Sequence, residues 1–110
     1  MGNRDYLGEF EHVVLLALAR LGDGAYGASI HEEILGTTGR DVSIPAVYVT
    51  LKRLEKKGLV SCTVEVPEEG GRATRNYVLL RAGEQSLMRS REMLESLWRG
   101  ARVGRPGWAK

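Results

Sequence analysis

The sequence has few of the residues and segments that cross-link a chain or anchor it in a membrane. It contains one cysteine, Cys62, in 110 residues, so an internal disulfide is impossible and a reducing cytoplasm is the expected location. Its longest apolar run, Val13–Ala19, has seven residues, whereas a membrane-spanning helix needs about 20. Residues 1–11 are polar and acidic, which argues against a signal peptide. We therefore expect a cytoplasmic protein with no membrane partner.

The sequence also lacks the patterns of catalytic and metal-binding proteins. His12 and His31 have no cysteine or acidic partner at the spacing of a metal site. Cys62 lacks the His and Asn partners of a nucleophilic cysteine, and no glycine-rich phosphate loop follows a strand. These absences predict a protein that is not an enzyme and that binds no metal and no cofactor.

The charge is distributed unevenly along the chain, although the net charge is only +2. Residues 1–39 carry two bases and six acids, whereas residues 40–81 carry eight bases and five acids. Residues 82–110 carry six bases and three acids. A basic middle and end fit a protein that presents one face to a polyanion, although a charged helix also fits a plain solvated surface.

Apolar periodicity and turn residues predict four helices and one hairpin. The helices are predicted at Glu9–Leu21, at about Tyr26–Leu35, from Ser43 to Gly58, and from Gly83 to about Arg102. Strands are predicted at Val60–Val66 and Arg75–Leu80, joined by a turn with Gly70 and Gly71 at its tip. Helix, strand, basic turn and strand follow each other as in a winged helix-turn-helix. The predicted fold class is α+β, mainly α. A winged helix-turn-helix is predicted over residues 1–81, a dimerisation helix over 82–103 and a disordered tail over 104–110. Within the first of these ranges, residues 1–8 are predicted to form a loosely held arm.

The third helix is the predicted DNA-binding element. Ser43 is its N-cap and Pro45 lies in its first turn, while Val47, Leu51 and Leu54 form an inward apolar stripe. Small side chains near its start and bases without acids on the other side fit a major groove. The residues predicted to face the bases are Ala46, Val49, Thr50 and Arg53, with Lys57 on the same side and Tyr48 and Lys52 flanking near phosphate. Ser43, at the start of the helix, is also predicted to be a DNA-binding residue. Two alternatives remain open: Tyr48 is half buried under the second helix, or the helix is a solvated basic surface in a module that does not bind DNA.

The predicted hairpin carries Arg72 and Arg75, which we expect over the minor groove or its phosphates. The alternative is that these arginines only keep the hairpin soluble. Glu68 and Glu69 precede the tip and would be repelled by DNA, so the tip is expected to contact phosphate through Arg72 alone.

The last helix is predicted to form a dimer. Leu87, Leu94, Leu97 and Ala101 approximate a and d heptad positions, with Ser90 as a polar break. A lone helix with such a seam needs a partner, and a symmetric dimer would bind an inverted repeat in double-stranded DNA. Trp98 is either a plain aromatic of the dimer core or one wall of a pocket for a planar aromatic molecule. Met88 and Met93 would add an adaptable lining to that pocket.

Taken in order, a set of short motifs resembles the PadR family of bacterial transcriptional regulators between Leu7 and about Leu87. The motifs are Leu15–Leu18, Ala25–Gly27, Ile30, Ala46–Tyr48, Leu51, Arg53–Val60, Gly70–Arg72, Tyr77 and Gly83. The resemblance implies a homodimeric winged-helix repressor whose C-terminal helix is the main dimer contact, often relieved by a small molecule. Leu80–Arg81 replaces the Thr-Pro pair that usually starts the family's last helix. The predicted function is a sequence-specific DNA-binding regulator; the alternative is a winged-helix protein-interaction module without DNA binding.

Overall fold

The computed structural model describes residues 6–104. Its elements, in chain order, are α1 (Glu9–Leu21), β1 (Ala25–Tyr26), α2 (Gly27–Thr38), α3 (Ile44–Lys56), β2 (Val60–Glu65), β3 (Thr74–Leu79) and α4 (Arg81–Trp98). The three strands form an antiparallel sheet in the order β1-β3-β2. The predicted fold class, a mainly helical winged helix-turn-helix followed by a long helix, is confirmed. No helix in the described part of the chain combines the length and apolar character needed to cross a membrane.

The helix α1 is the centre of the hydrophobic core. It packs against α2, α3, α4 and β3, and its residues Val14, Leu15 and Leu18 are almost completely buried. The apolar spacing that predicted the bounds of α1 therefore corresponds to residues that are buried in the core. Because one helix contacts every layer, the position of each surrounding element is defined relative to α1.

The start of α3 follows its sequence signals closely. Ser43 Oγ accepts a hydrogen bond from the backbone N–H of Ala46 at 3.1 Å, as expected of an N-cap. Gly58, with φ of 77°, ends the helix in a left-handed conformation that favours glycine. The helix α2 continues three residues beyond the predicted Leu35, because Gly36 fits within it and the left-handed residue comes at Gly39.

The strand β1 was not predicted. Ala25 pairs with Tyr77 and Tyr26 pairs with Asn76, so two residues form the third strand of the sheet. A two-residue strand is too short to show an alternating pattern. It fixes the N-terminal end of α2 against the base of the hairpin.

The helix α4 begins and ends earlier than predicted. It starts at Arg81, and its N-cap Leu80 makes no side-chain capping bond; instead, the Leu80 N–H donates to the carbonyl of Leu59 at 3.0 Å. It ends at Trp98, and Gly100 adopts a left-handed φ of 85°. The predicted heptad position of Ala101 is wrong, because Ala101 follows the end of the helix. Of the predicted tail over 104–110, all but residue 104 lies outside the described residues.

Candidate nucleic-acid interface

The inward face of α3 is wider than the sequence predicted. Val47, Leu51 and Leu54 are fully buried, and Thr50 joins them at 4% exposure. Thr50 lies three residues after Val47 and four before Leu54, so it shares their side of the helix. The prediction that Thr50 faces DNA bases is therefore wrong, since its side chain is packed inside the protein.

The outer face of α3 is a basic and apolar stripe. Pro45, Val49, Lys52 and Lys56 are all exposed and recur at helical spacing, Val49 at 59% exposure. Ala46 is half-buried beside this stripe. Lys56 was missing from the predicted contacts, although its spacing from Lys52 and Val49 was a signal that could have found it.

The other two bases of α3 lie differently. Arg53 is exposed on the flank nearer α1, where its charge helps to lower the pKa of Glu11. Lys57, which the sequence placed on the DNA-facing side, reaches back to α1, with its Nζ 2.8 Å from Glu11 Oε2. The placement of Lys57 is corrected accordingly: its charge is paired with a carboxylate that is only 6% exposed.

Tyr48 lies between α3 and α2. A Cβ placed on Gly27 would come within 2.7 Å of the Tyr48 hydroxyl oxygen, so the phenol ring rests on the first turn of α2 where only glycine leaves room. The side chain keeps 37% exposure. The structure thus places the Tyr48 side chain half buried beside the second helix. A contact between its exposed edge and a phosphate stays a prediction.

The loop that leads from α2 into α3 is held by side chains of the helices around it. His31 Nε2 donates to the carbonyl oxygen of Val42 at 2.6 Å, directly before the Ser43 cap. Arg40 pairs with Glu9 at 2.6 Å, and its guanidinium lies 5.3 Å from the centre of the Phe10 ring. These contacts fix the entry of α3, so its outer face has a defined direction.

The hairpin of β2 and β3 forms the wing. Arg72 and Arg75 are both exposed, Arg72 in the turn and Arg75 opposite Val64 in the strand register. Gly70 and Gly71 have φ of 84° and 107°, which explains the glycine pair at the tip. The turn places both arginines on the far end of the hairpin, where a polyanion has access to them.

The base of the wing is structural. Burial, together with the charge and hydrogen bond of Cys62, raises the pKa of Tyr77 to about 12, against an opposing effect of the Arg75 charge. Tyr77 therefore remains neutral and ties β3 to β2. Within residues 6–104, no group of three or more His, Cys, Asp or Glu side chains could hold a metal ion.

The predicted dimer residues divide into two groups. Leu87 is 8% exposed and Ser90 is 2% exposed, so both pack mainly within the protomer, and a dimer contact by Leu87 stays a prediction. Leu94, Leu97 and Trp98 are exposed, Trp98 at 62%. The inner positions of the predicted heptad face α1, and only its C-terminal part presents an uncovered apolar surface.

An open groove of about 760 Å³ runs between α1 and α4. Leu16 of α1 faces Leu94, Met88 and Trp98 of α4 across it. Met93 lies instead beside a neighbouring depression, with Leu7 and Ser90. Of the residues predicted to line a ligand pocket, the structure therefore brings Met88 and Trp98 together and leaves Met93 apart.

Residues 14–89 match the family described as Transcriptional regulator PadR-like family. The chain belongs to this family. The predicted resemblance is confirmed, and the matched residues run from α1 into α4. No curated protein matches the chain.

Several solved structures share the fold. A PadR family transcription regulator from Clostridium difficile superposes with a TM-score of 0.70 at 19% identity, over 84% of this chain and 93% of that one. RosR from H. salinarum gives 0.67 at 25% identity, over 86% and 80%. PadR from Bacillus subtilis, bound to its operator DNA, gives 0.62 at 20% identity over 88% of this chain. This chain covers only 50% of the B. subtilis protein.

Proposed function

We propose that this PadR-like protein is a homodimeric repressor that binds an inverted-repeat operator in double-stranded DNA. The observation that carries the proposal is the outer face of α3, where Val49, Lys52 and Lys56 are exposed at helical spacing around a helix whose other side is buried. Exposed methyl groups fit the thymine methyl of the major groove, and lysines fit the phosphates that border it. As a regulator of transcription it acts where the DNA is, in the cytoplasm.

The wing adds a second set of contacts. Arg72 and Arg75 would lie against the adjacent minor groove or its phosphates. Together with Lys52, Arg53 and Lys56, each protomer offers five exposed bases, whereas Lys57 is already paired. If a dimer neutralises about 6–10 phosphates, its affinity should fall by about 10³–10⁵ between 50 and 200 mM salt.

A second copy of the chain is the proposed cover for the groove between α1 and α4. Leu94, Leu97 and Trp98 are exposed side by side, with Leu16 across the groove. Soluble monomers rarely expose contiguous apolar surface of this kind. A two-fold arrangement would bury the same patch of both protomers and place the two α3 helices about one turn of DNA apart, roughly 10 bp, or a multiple of that.

Relief of repression by a planar aromatic ligand is the finer part of the proposal. Trp98 and Met88 line the same groove and are both exposed in the protomer. A flat molecule stacked on Trp98 would release the DNA only if it favoured a dimer geometry with displaced α3 helices. Titration with flat aromatic dyes, followed by tryptophan fluorescence, tests this with Trp98→Ala and Trp108→Ala as a matched pair. Quenching that depends on Trp108 and not on Trp98 would remove the pocket from the proposal.

The deciding experiment measures binding to the DNA upstream of the protein's own gene by fluorescence anisotropy, with an unrelated duplex as competitor. Val49→Glu should abolish specific binding, because it places a carboxylate against the bases and phosphates. Lys52→Ala and Lys56→Ala should each reduce the salt slope by about 1. Arg99→Ala, which removes an equal charge beyond the end of α4, should leave the slope unchanged. A protein-interaction module without DNA binding would show no salt-dependent preference for any duplex.

A further inference from the structure

A chain of hydrogen bonds joins the DNA-facing helix α3 to the dimerisation helix α4 through the N-terminal segment. The backbone N–H of Leu7 donates to Ser90 Oγ on α4 at 3.2 Å. The next N–H, that of Gly8, donates to Glu11 Oε1 at 2.9 Å. The other oxygen of Glu11 accepts from Lys57 Nζ at 2.8 Å, at the C-terminal end of α3. The prediction of a loose arm is thus wrong for Leu7 and Gly8, which are tied on both sides.

Two acceptors of this chain of hydrogen bonds are buried. Ser90 is 2% exposed and Glu11 is 6% exposed, so water cannot readily take their place, whereas the side chain of Lys57 at the α3 end is 37% exposed. The Arg40–Glu9 pair on the same end of α1 is different, because its carboxylate is 72% exposed. Exposed ion pairs contribute little, whereas removal of one partner from a buried pair leaves a charge without compensation.

Glu11 also has two separate tasks, one for each oxygen. One oxygen satisfies the N–H of Gly8, which is the N-cap of α1. The other holds the ammonium group of Lys57. The burial of the carboxyl raises its pKa, but the hydrogen bonds from Lys57 and Gly8 outweigh this effect and the net pKa is lowered, so the side chain is ionised at neutral pH.

We propose that Glu11 is a positioning residue for DNA binding, because it fixes the position of the C-terminal end of α3 relative to Leu7–Gly8. Through the hydrogen bond between Leu7 and Ser90, the position of this end also depends on the position of α4. A shift of α4 on dimerisation or ligand binding moves Leu7, and the displacement reaches Lys57 through Gly8 and Glu11. The inference rests on the proposed function for its consequence, the angle at which α3 meets DNA. The coupling within the protein can be measured without DNA.

The first test therefore uses the full chain alone. Ser90→Ala removes the acceptor for the Leu7 N–H, and amide hydrogen exchange is followed at Lys56, Lys57 and Gly58. We expect exchange at these amides to accelerate by about fivefold or more, the lower range of measured couplings between sites. In a Glu11→Gln background the same Ser90→Ala change should have no further effect there. Unchanged exchange at the end of α3 after Ser90→Ala would overturn the coupling.

The second test measures affinity for a labelled duplex from the upstream region of the protein's own gene. Lys57→Met should weaken binding by about fivefold, whereas Lys57→Arg, which retains the pair with Glu11, should bind as the wild type does. Glu33→Gln is the matched control, because it removes a carboxylate that pairs with a base of α1, Arg20 Nε at 2.6 Å, without touching the chain of bonds. The loss of affinity in the Ser90→Ala, Lys57→Met double variant should be smaller than the product of the two single fold losses. Independent effects would contradict the proposal.

The two tests separate the two ideas. A protein that binds the duplex but whose α3 is insensitive to Ser90→Ala retains the proposed function and loses the coupling. A protein whose α3 responds to Ser90→Ala, but which binds no duplex, retains the coupling and loses the proposed function. If Glu11→Gln does not fold, Lys57→Met replaces it as the background for the exchange experiment.

Discussion

The replacement of Gly83 by alanine tests how closely α4 is docked on the hairpin. Gly83 is buried in the first turn of α4 and its φ is not positive, so no conformational reason requires glycine there. A methyl group at this position would overlap the carbonyl oxygen of Leu59 and lie 2.6 Å from Cδ1 of Leu79. The same carbonyl accepts the Leu80 N–H, so it cannot move away without loss of a second contact.

Two effects of opposite sign decide the result. Alanine is favoured over glycine inside a helix by about 0.5–1 kcal/mol. Overpacking against atoms that cannot move typically costs about 1–3 kcal/mol, and here the obstacle is backbone. We therefore expect Gly83→Ala to lower the free energy of unfolding by about 1–2 kcal/mol, and at about 4 °C per kcal/mol to lower the Tm by about 4–8 °C.

Gly36→Ala is the matched control. Gly36 lies in α2, and a Cβ there would meet no atom within 4 Å. The same substitution should therefore raise the free energy of unfolding by about 0.5 kcal/mol, because alanine is favoured over glycine in a helix, and the Tm should rise by a few degrees. Thermal unfolding followed by circular dichroism at one protein concentration compares the variants without a shift from dimerisation. A Gly83→Ala protein as stable as Gly36→Ala would refute the close approach of α4 to Leu59.

Three further outcomes follow from the contacts. Thr50→Val should leave operator affinity unchanged, because Thr50 is buried; a loss as large as that of Val49→Glu, both measured by anisotropy, would restore Thr50 to the interface. Leu94→Asp should weaken self-association by about 30-fold or more, the ~2 kcal/mol of an interface hot spot; light scattering that shows the same mass for wild type and variant would contradict this. Because the pKa of Glu11 is lowered in the folded state, its ionised form contributes stability above the ordinary value of 4.5, and this contribution is lost as the pH falls through the folded pKa. In urea unfolding, the difference in stability between Glu11→Gln and wild type should thus be present at pH 7 and shrink as the pH falls below 4.5; a difference that does not change with pH would exclude the linkage.

Long, strongly periodic elements could be predicted from the sequence. The bounds of α1 and the cap of α3 were predicted as observed, because apolar spacing, Ser43 and Gly58 each act within one or two helical turns. The two residues of β1 gave no signal, since their strand exists only through pairing with Tyr77 and Asn76. The end of α4 at Trp98 differs from the predicted end near Arg102, because Gly100 adopts a left-handed conformation just after Trp98.

The site was harder to predict than the fold, because the two faces of α3 are decided by its neighbours. The wheel of α3 alone places Thr50 and Lys57 at the border between its faces. In the folded structure the first is buried, and the carboxylate of Glu11 binds the second. Lys56 was overlooked although its spacing from Lys52 and Val49 is regular. The role of Lys57 depends on a side chain 46 positions away in the sequence, and helical periodicity contains no such information.

The strand order of the small sheet has a consequence for solubility. In the described part of the chain β2 is an edge strand, and Val64 and Val66 are exposed along it and just after it. An exposed edge with alternating valines is a template on which another chain can add a strand. Glu65, Pro67 and the Glu68–Glu69 pair interrupt that template with charge and with a residue that has no N–H to donate. Neutralising these acids to tighten DNA binding would therefore expose the protein to edge-to-edge aggregation through its wings.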